Sequence, residues 1–114
     1  MCSVLILPRH VWSSLTRSAK VRGIAVSVTP EELAALWEAQ EGRCALTGLS
    51  LVLGKNGRER TASVDRIDSK KPYETGNVQW VHEHVNIMKN AYPQEYFVGM
   101  CEAIVVKSIM RRLT

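Results

Sequence analysis

The segment from Thr61 to Asn90 constrains the fold more than any other. Thr61 to Asp68 (Thr-Ala-Ser-Val-Asp-Arg-Ile-Asp) reads as a strand, Pro72 to Asn77 as a turn-rich loop ending in Gly76-Asn77, and Val78 to Val81 as a second strand. From His82 to about Asn90 the spacing of Val85 and Met88 predicts a helix. The order strand, loop, strand, helix calls for a β-hairpin packed on that helix, within an α+β fold. The chain has 114 residues, enough for one compact domain with a modest core and too few for two.

The flanks are predicted to be helical. Between Pro8 and about Lys20, Val11, Leu15 and Ala19 recur every fourth residue on one face, and Gly23 supplies a stop. Ile24 to Val28 is a short extended connector. Thr29-Pro30-Glu31-Glu32 then combines an N-cap hydroxyl, a proline at the first helical position and acidic side chains in the first turn. This helix should run through Leu33, Leu36 and Trp37 to about Gln40, with Gly42 closing it. Cys44 to Gly48 and Leu51 to Leu53 suggest a tight turn with short strand pieces, and residues 54–58 a polar loop. A last helix is expected over Pro93 to Arg111, carrying Phe97, Met100, Ile104 and Ile109. The expected layout is a single domain over 1–114: a helical, basic segment over 1–41, a core over about 44–90, and a C-terminal helix over about 93–111. Trp12, Trp37 and Trp80 are expected in the core.

Hydrophobic residues make up 46% of the chain, and no stretch approaches the roughly 20 apolar residues a membrane span requires. The apolar opening run, Met1 to Leu7, lacks the basic flank and cleavage site of a secretory signal. A net charge of +4 favours a polyanionic partner. The charge is clustered: Arg9, His10, Arg17, Lys20 and Arg22 near the start, Lys55, Arg58 and Arg60 in one loop, and Lys107, Arg111 and Arg112 at the end. Three such clusters could frame one groove. Cys2, Cys44 and Cys101 are odd in number and form no CxxC pair, so no disulfide framework or four-cysteine zinc site is encoded, and a reducing cytoplasm is expected.

Several ordered blocks carry a family resemblance. Ser63-Val64-Asp65-Arg66-Ile67-Asp68, Tyr73, Gly76-Asn77-Val78-Gln79-Trp80-Val81 and Val85-Asn86-Ile87-Met88-Lys89 together resemble the HNH nucleases, in particular a short subgroup common in phage and prophage genomes. Upstream, residues 18–23 and 42–48 look like the matching N-terminal pieces, so the likeness covers most of the chain. The resemblance implies a ββα-metal core and divalent-metal-dependent cleavage or nicking of DNA, in a bacterial or phage-infected cytoplasm. It places Asp65 on the Asp of the family's Asp-His pair, Asn77 on the middle Asn and Asn86 on the last Asn. Arg66 stands where the family has its catalytic His.

Asp65 and Asn86 offer the oxygen ligands that Mg²⁺ or Mn²⁺ prefers. Asn77 is expected to support the loop. Arg66 cannot act as a general base, because its guanidinium stays charged, but it can bind phosphate or stabilise a transition state. Candidates for the base are His82, His84, Asp68 and a metal-bound hydroxide. On helical geometry His82 shares a face with Asn86, whereas His84 is rotated away by about 200°. Asp68 falls on the strand face opposite Asp65 if the strand continues. The competing readings are an Asp65 carboxylate paired with Arg60 or Arg66, and an Asn86 that is merely solvated.

Many relatives carry a structural zinc held by two CxxC pairs. Here those positions hold Cys44 with Thr47 and His82 with Val85, too few ligands for a closed site, so no structural zinc is expected and Cys44 should be a buried apolar residue. Lys20, Arg22, Arg66 and Lys89 are the expected DNA contacts. Two other functions remain open: a catalytically weakened DNA-binding module with the same fold, for which Arg66 speaks, and an RNA or protein interaction domain.

Overall fold

The computed structural model describes residues 5–55 and 59–114; Cys2 and Arg58, and most of the apolar opening run, lie outside them. Four helices and one hairpin follow in the order α1 (Arg9–Arg22), α2 (Pro30–Ala39), β1 (Ala62–Arg66), β2 (Val78–His82), α3 (Glu83–Lys89) and α4 (Gln94–Leu113). This is an α+β architecture with a two-stranded antiparallel sheet and α3 following it directly.

The local signals act as their chemistry dictates. Val11, Leu15 and Ala19 are the buried residues of α1, and Gly23 ends it in the left-handed region at φ 70°, its N–H donating to the carbonyl of Lys20. The Thr29 hydroxyl caps α2 by accepting from the Glu32 N–H at 3.1 Å. Beyond α2, Gly42 at φ 66° lets the chain double back against the Trp37 ring, which an added Cβ would meet at 3.3 Å.

β1 and β2 pair from Ala62 opposite His82 to Arg66 opposite Val78, with Asp65 opposite Gln79. β1 stops two residues short of the expected end, because the Asn77 backbone and side chain take over the Ile67 and Asp68 amides. His82 ends β2 instead of starting the helix. The expected strand pieces around 44–53 are absent as strands; only the bridge between Arg43 and Ser50 forms there.

Trp80 is wholly buried at the centre of the core, its indole N–H donating to the Leu33 carbonyl at 3.0 Å, with Trp37 edge-on at 5.3 Å between ring centroids. Residues from α1, α2, the Cys44–Leu51 turn and the hairpin complete the cluster, and Trp12 and Trp37 pack on its margin. The exception is α4. It has no buried residue, and Met100, Ile104 and Ile109, three of its four expected apolar positions, are exposed.

Candidate functional site

Asp65 lies in β1 yet is only 5% exposed, so its carboxylate must find partners inside. Lys89, reaching back from the end of α3, supplies them: its ammonium lies 2.9 and 3.2 Å from the two carboxylate oxygens and donates to the Arg66 carbonyl at 2.8 Å. From the facing strand, the Gln79 amide donates to Asp65 at 2.9 Å and is itself tied to Gln94 of α4. Asp65 is therefore paired, but with neither Arg60 nor Arg66 as the sequence suggested. Lys89 is 1% exposed, which rules out the expected phosphate contact: this ammonium is an internal counter-ion.

Asn86 precedes Lys89 by three residues and so shares its face of α3. Its side-chain N–H group donates to the Ser63 hydroxyl at 2.7 Å, and among the described residues its carbonyl oxygen accepts no hydrogen bond. Asp65, Arg66, Asn86 and Asn90 line one small cavity of about 70 Å³. A second cavity of about 110 Å³ is lined by Ser14, Ser18, Arg60, Ser63 and Asn86. Arg22, Val64, Tyr73 and Asn86 are common to both.

The end of β1 presents Arg66, and the loop that follows presents Tyr73. The Arg66 guanidinium donates to the carbonyls of Ser69 and Lys71 at 2.7 and 3.0 Å and lies 5.4 Å from the centre of the Tyr73 ring. Arg22, at the end of α1, donates to the Tyr73 hydroxyl and lies 5.9 Å from the same ring centre. Tyr73 also exchanges backbone hydrogen bonds with Ala25, Ser27 and Val28, which ties the connector after α1 to this loop. Three guanidinium groups, from Arg22, Arg60 and Arg66, thus border cavities whose carboxylate already has a cation of its own. Burial depresses the Arg60 guanidinium, an effect the nearby Glu83 charge offsets in part. The resulting pocket suits an anion with several oxygens.

Asn77 clamps the loop. Its side-chain oxygen accepts from the Asp68 N–H at 2.8 Å, and its N–H group donates to the carbonyls of Asp68 and Pro72 at 3.1 and 2.9 Å. Asn77→Ala is expected to lower stability by about 2–3 kcal/mol, since each bond contributes about 1 kcal/mol and the Asp68 N–H loses its acceptor. Urea unfolding checks this, and a loss below about 0.5 kcal/mol would contradict the clamp.

Other expected residues stand apart. His82 caps α3, its Nδ1 accepting from the His84 N–H at 3.1 Å, and lines neither cavity. It is three register positions from the Asp65–Gln79 pair, about 10 Å along the sheet. His84 is largely exposed beside Glu83 at 3.7 Å. Asp68 accepts from the Lys70 N–H at 2.9 Å in a local turn. None of the three faces Asp65. Lys20 is exposed on the last turn of α1, while Arg9, His10 and Lys55 border a separate open hollow.

His82 belongs to a different corner. Burial raises the Cys44 thiol, but hydrogen bonds from the Thr47 hydroxyl and the backbones of His82, Leu46 and Thr47 outweigh it and hold the thiol below its ordinary value. Cys44 and Thr47 therefore lie against the backbone of His82, whose imidazole is engaged on α3. The family resemblance pointed to Asp65, Arg66, Asn77 and Asn86; it did not single out Gln79 or Ser63, because hydrogen-bonding polar residues in strands carry no periodic signal, nor the place of Arg60 on the cavity wall.

No family model and no curated protein sequence matches the chain. Its structure is similar to that of the rare-cutting HNH restriction endonuclease PacI, reported for its mechanism of DNA perturbation, with 21% sequence identity and a TM-score of 0.66 over 97% of this chain and 87% of that one. The chain accordingly has an HNH-type α+β fold.

Proposed function

We propose that the chain is a divalent-metal-dependent DNA endonuclease. The observation that carries this reading is the convergence of Asp65, Asn86 and three guanidinium groups on two adjoining cavities within an HNH-type fold. The donor set fits a single hard cation: among the described residues, one carboxylate Oδ1 has only the 3.2 Å contact to Lys89, and the Asn86 amide oxygen accepts no hydrogen bond. Asp65 and Asn86 would hold Mg²⁺ or Mn²⁺, with the remaining positions left to water and phosphate. Such an ion supplies charge stabilisation to a scissile phosphodiester and its departing oxygen.

The chain's own residues do the rest. Arg22, Arg60 and Arg66 bind the phosphate oxygens and stabilise charge that develops on them. Lys89 and Gln79 fix the Asp65 carboxylate, and Asn77 holds the loop whose carbonyls anchor Arg66. The fixed guanidinium of Arg66, anchored on two carbonyls, acts by charge and position, so the attacking water must lose its proton to something other than this side chain.

A second reading is a DNA-binding relative without strong catalysis. It is favoured by the Asp65–Lys89 pair, which already offsets the charge a metal would need. Both readings require phosphate contacts. Replacing Lys20 and Arg22 together with alanine is expected to weaken duplex DNA binding and to lower the slope of log affinity against log salt by about one unit per lost contact. Gel shifts at several salt concentrations measure it; salt-independent binding would count against both. Nicking of supercoiled plasmid in Mg²⁺ or Mn²⁺ separates the two.

A further inference from the structure

We infer that the larger of the two cavities is a second phosphate subsite, which takes the phosphate next to the scissile one on the same nucleic-acid strand. The inference rests on the nuclease reading and refines it, moving the contact of Arg60 from the scissile phosphate to its neighbour.

One residue decides what each cavity can hold. Asp65 lines the smaller, whereas no carboxylate among the described residues lines the larger, of about 110 Å³. Without an anionic ligand the larger cavity has nothing to offset the charge of a divalent ion, and its walls offer donors instead. Several of these donors are unspent among the described residues. The part-buried Arg60 gives its Nε–H to the Ala62 carbonyl at 2.7 Å, but its terminal N–H groups make no hydrogen bond. Glu83 acts on it electrostatically without forming an ion pair. The Ser63 hydroxyl accepts from Asn86 at 2.7 Å and donates to nothing. Ser14 and Ser18 make no side-chain hydrogen bond and, with Arg22 four residues further on, line up along one side of α1. A part-buried guanidinium with donors to spare, ringed by hydroxyls, matches a phosphate group.

The spacing selects a neighbouring phosphate. Ser63 and Asp65 lie two residues apart in β1, so they share a face of the strand at about 6.6 Å, and Asn86 and Lys89 meet them from one face of α3. That step is of the order of the separation between successive phosphates of one strand. Arg22 stands on the wall common to both cavities, where a single guanidinium borders both groups.

Two nucleotides of equal phosphate count test this in EDTA, where no metal takes part. Thymidine 3′,5′-bisphosphate carries its phosphates on either side of the sugar, as a strand does, whereas thymidine 5′-diphosphate carries both at one end. Calorimetric titration of the full chain is expected to show the bisphosphate binding about 10-fold tighter, the effect of one further charge-assisted contact. Arg60→Gln should bring the two within about 2-fold of each other. So should Ser14→Asp, at an exposed position that lines the larger cavity and not the smaller, and so harmless to the fold. Equal affinity of the wild type for the two nucleotides, a preference that survives either folded variant, or no binding of the bisphosphate at about 10 mM would overturn the subsite. Plasmid nicking is read separately. Nicking without the preference leaves the nuclease reading standing and overturns the subsite, and the preference without nicking does the reverse.

Discussion

Asp65→Asn is expected to abolish plasmid cleavage, with a rate loss on the order of 10³-fold, or about 4 kcal/mol of transition-state stabilisation. Asparagine preserves shape and keeps an oxygen for Lys89, but removes the charge that attracts a divalent ion. Alanine is the worse probe, because it would strand a buried ammonium and confound lost activity with lost fold. Circular dichroism and gel shift of the same preparation should show a folded protein that still binds duplex DNA. Activity within a few-fold of wild type would remove Asp65 from the site.

Lys89→Ala carries the largest stability effect expected of the candidate site. It leaves a carboxylate that is 5% exposed without its cation, and breaking a buried pair in this way costs about 3–5 kcal/mol. For a domain of this size the midpoint of thermal unfolding should fall by roughly 10–20 °C. The double variant Asp65→Asn with Lys89→Met removes both charges and should be less destabilised than the sum of the Asp65→Asn and Lys89→Met single variants. Additive losses, or a loss below about 1 kcal/mol in Lys89→Ala, would mean that the pair is not a structural unit.

The contrast between Lys89 and Asn86 shows how far the sequence could be read. Ordered blocks placed Asp65 and Asn86 together, and the HNH-type fold agrees with the strand, loop, strand, helix order. The seven-residue α3 is too short for periodicity to distinguish a buried lysine from a phosphate-binding one. His82 was set on the Asn86 face by helical arithmetic, but its backbone is extended, at ψ 139°, so that arithmetic does not apply to it. Thr29-Pro30 was legible because capping is local chemistry. The end of β1 was not, since it depends on Asn77, nine residues beyond Asp68, displacing the ladder. On α4 the apolar spacing was visible, but spacing alone cannot say whether a face meets the chain's own core or another surface.

The most direct test of the central claim is a time course of supercoiled plasmid with the wild-type chain, in Mg²⁺, in Mn²⁺ and in EDTA, run beside Asp65→Asn. Nicked or linear product is expected with at least one ion, none in EDTA and none with the variant. Intact plasmid under every condition, from a protein that still shifts duplex DNA in a gel, would contradict it and make the chain a DNA-binding relative of the nucleases.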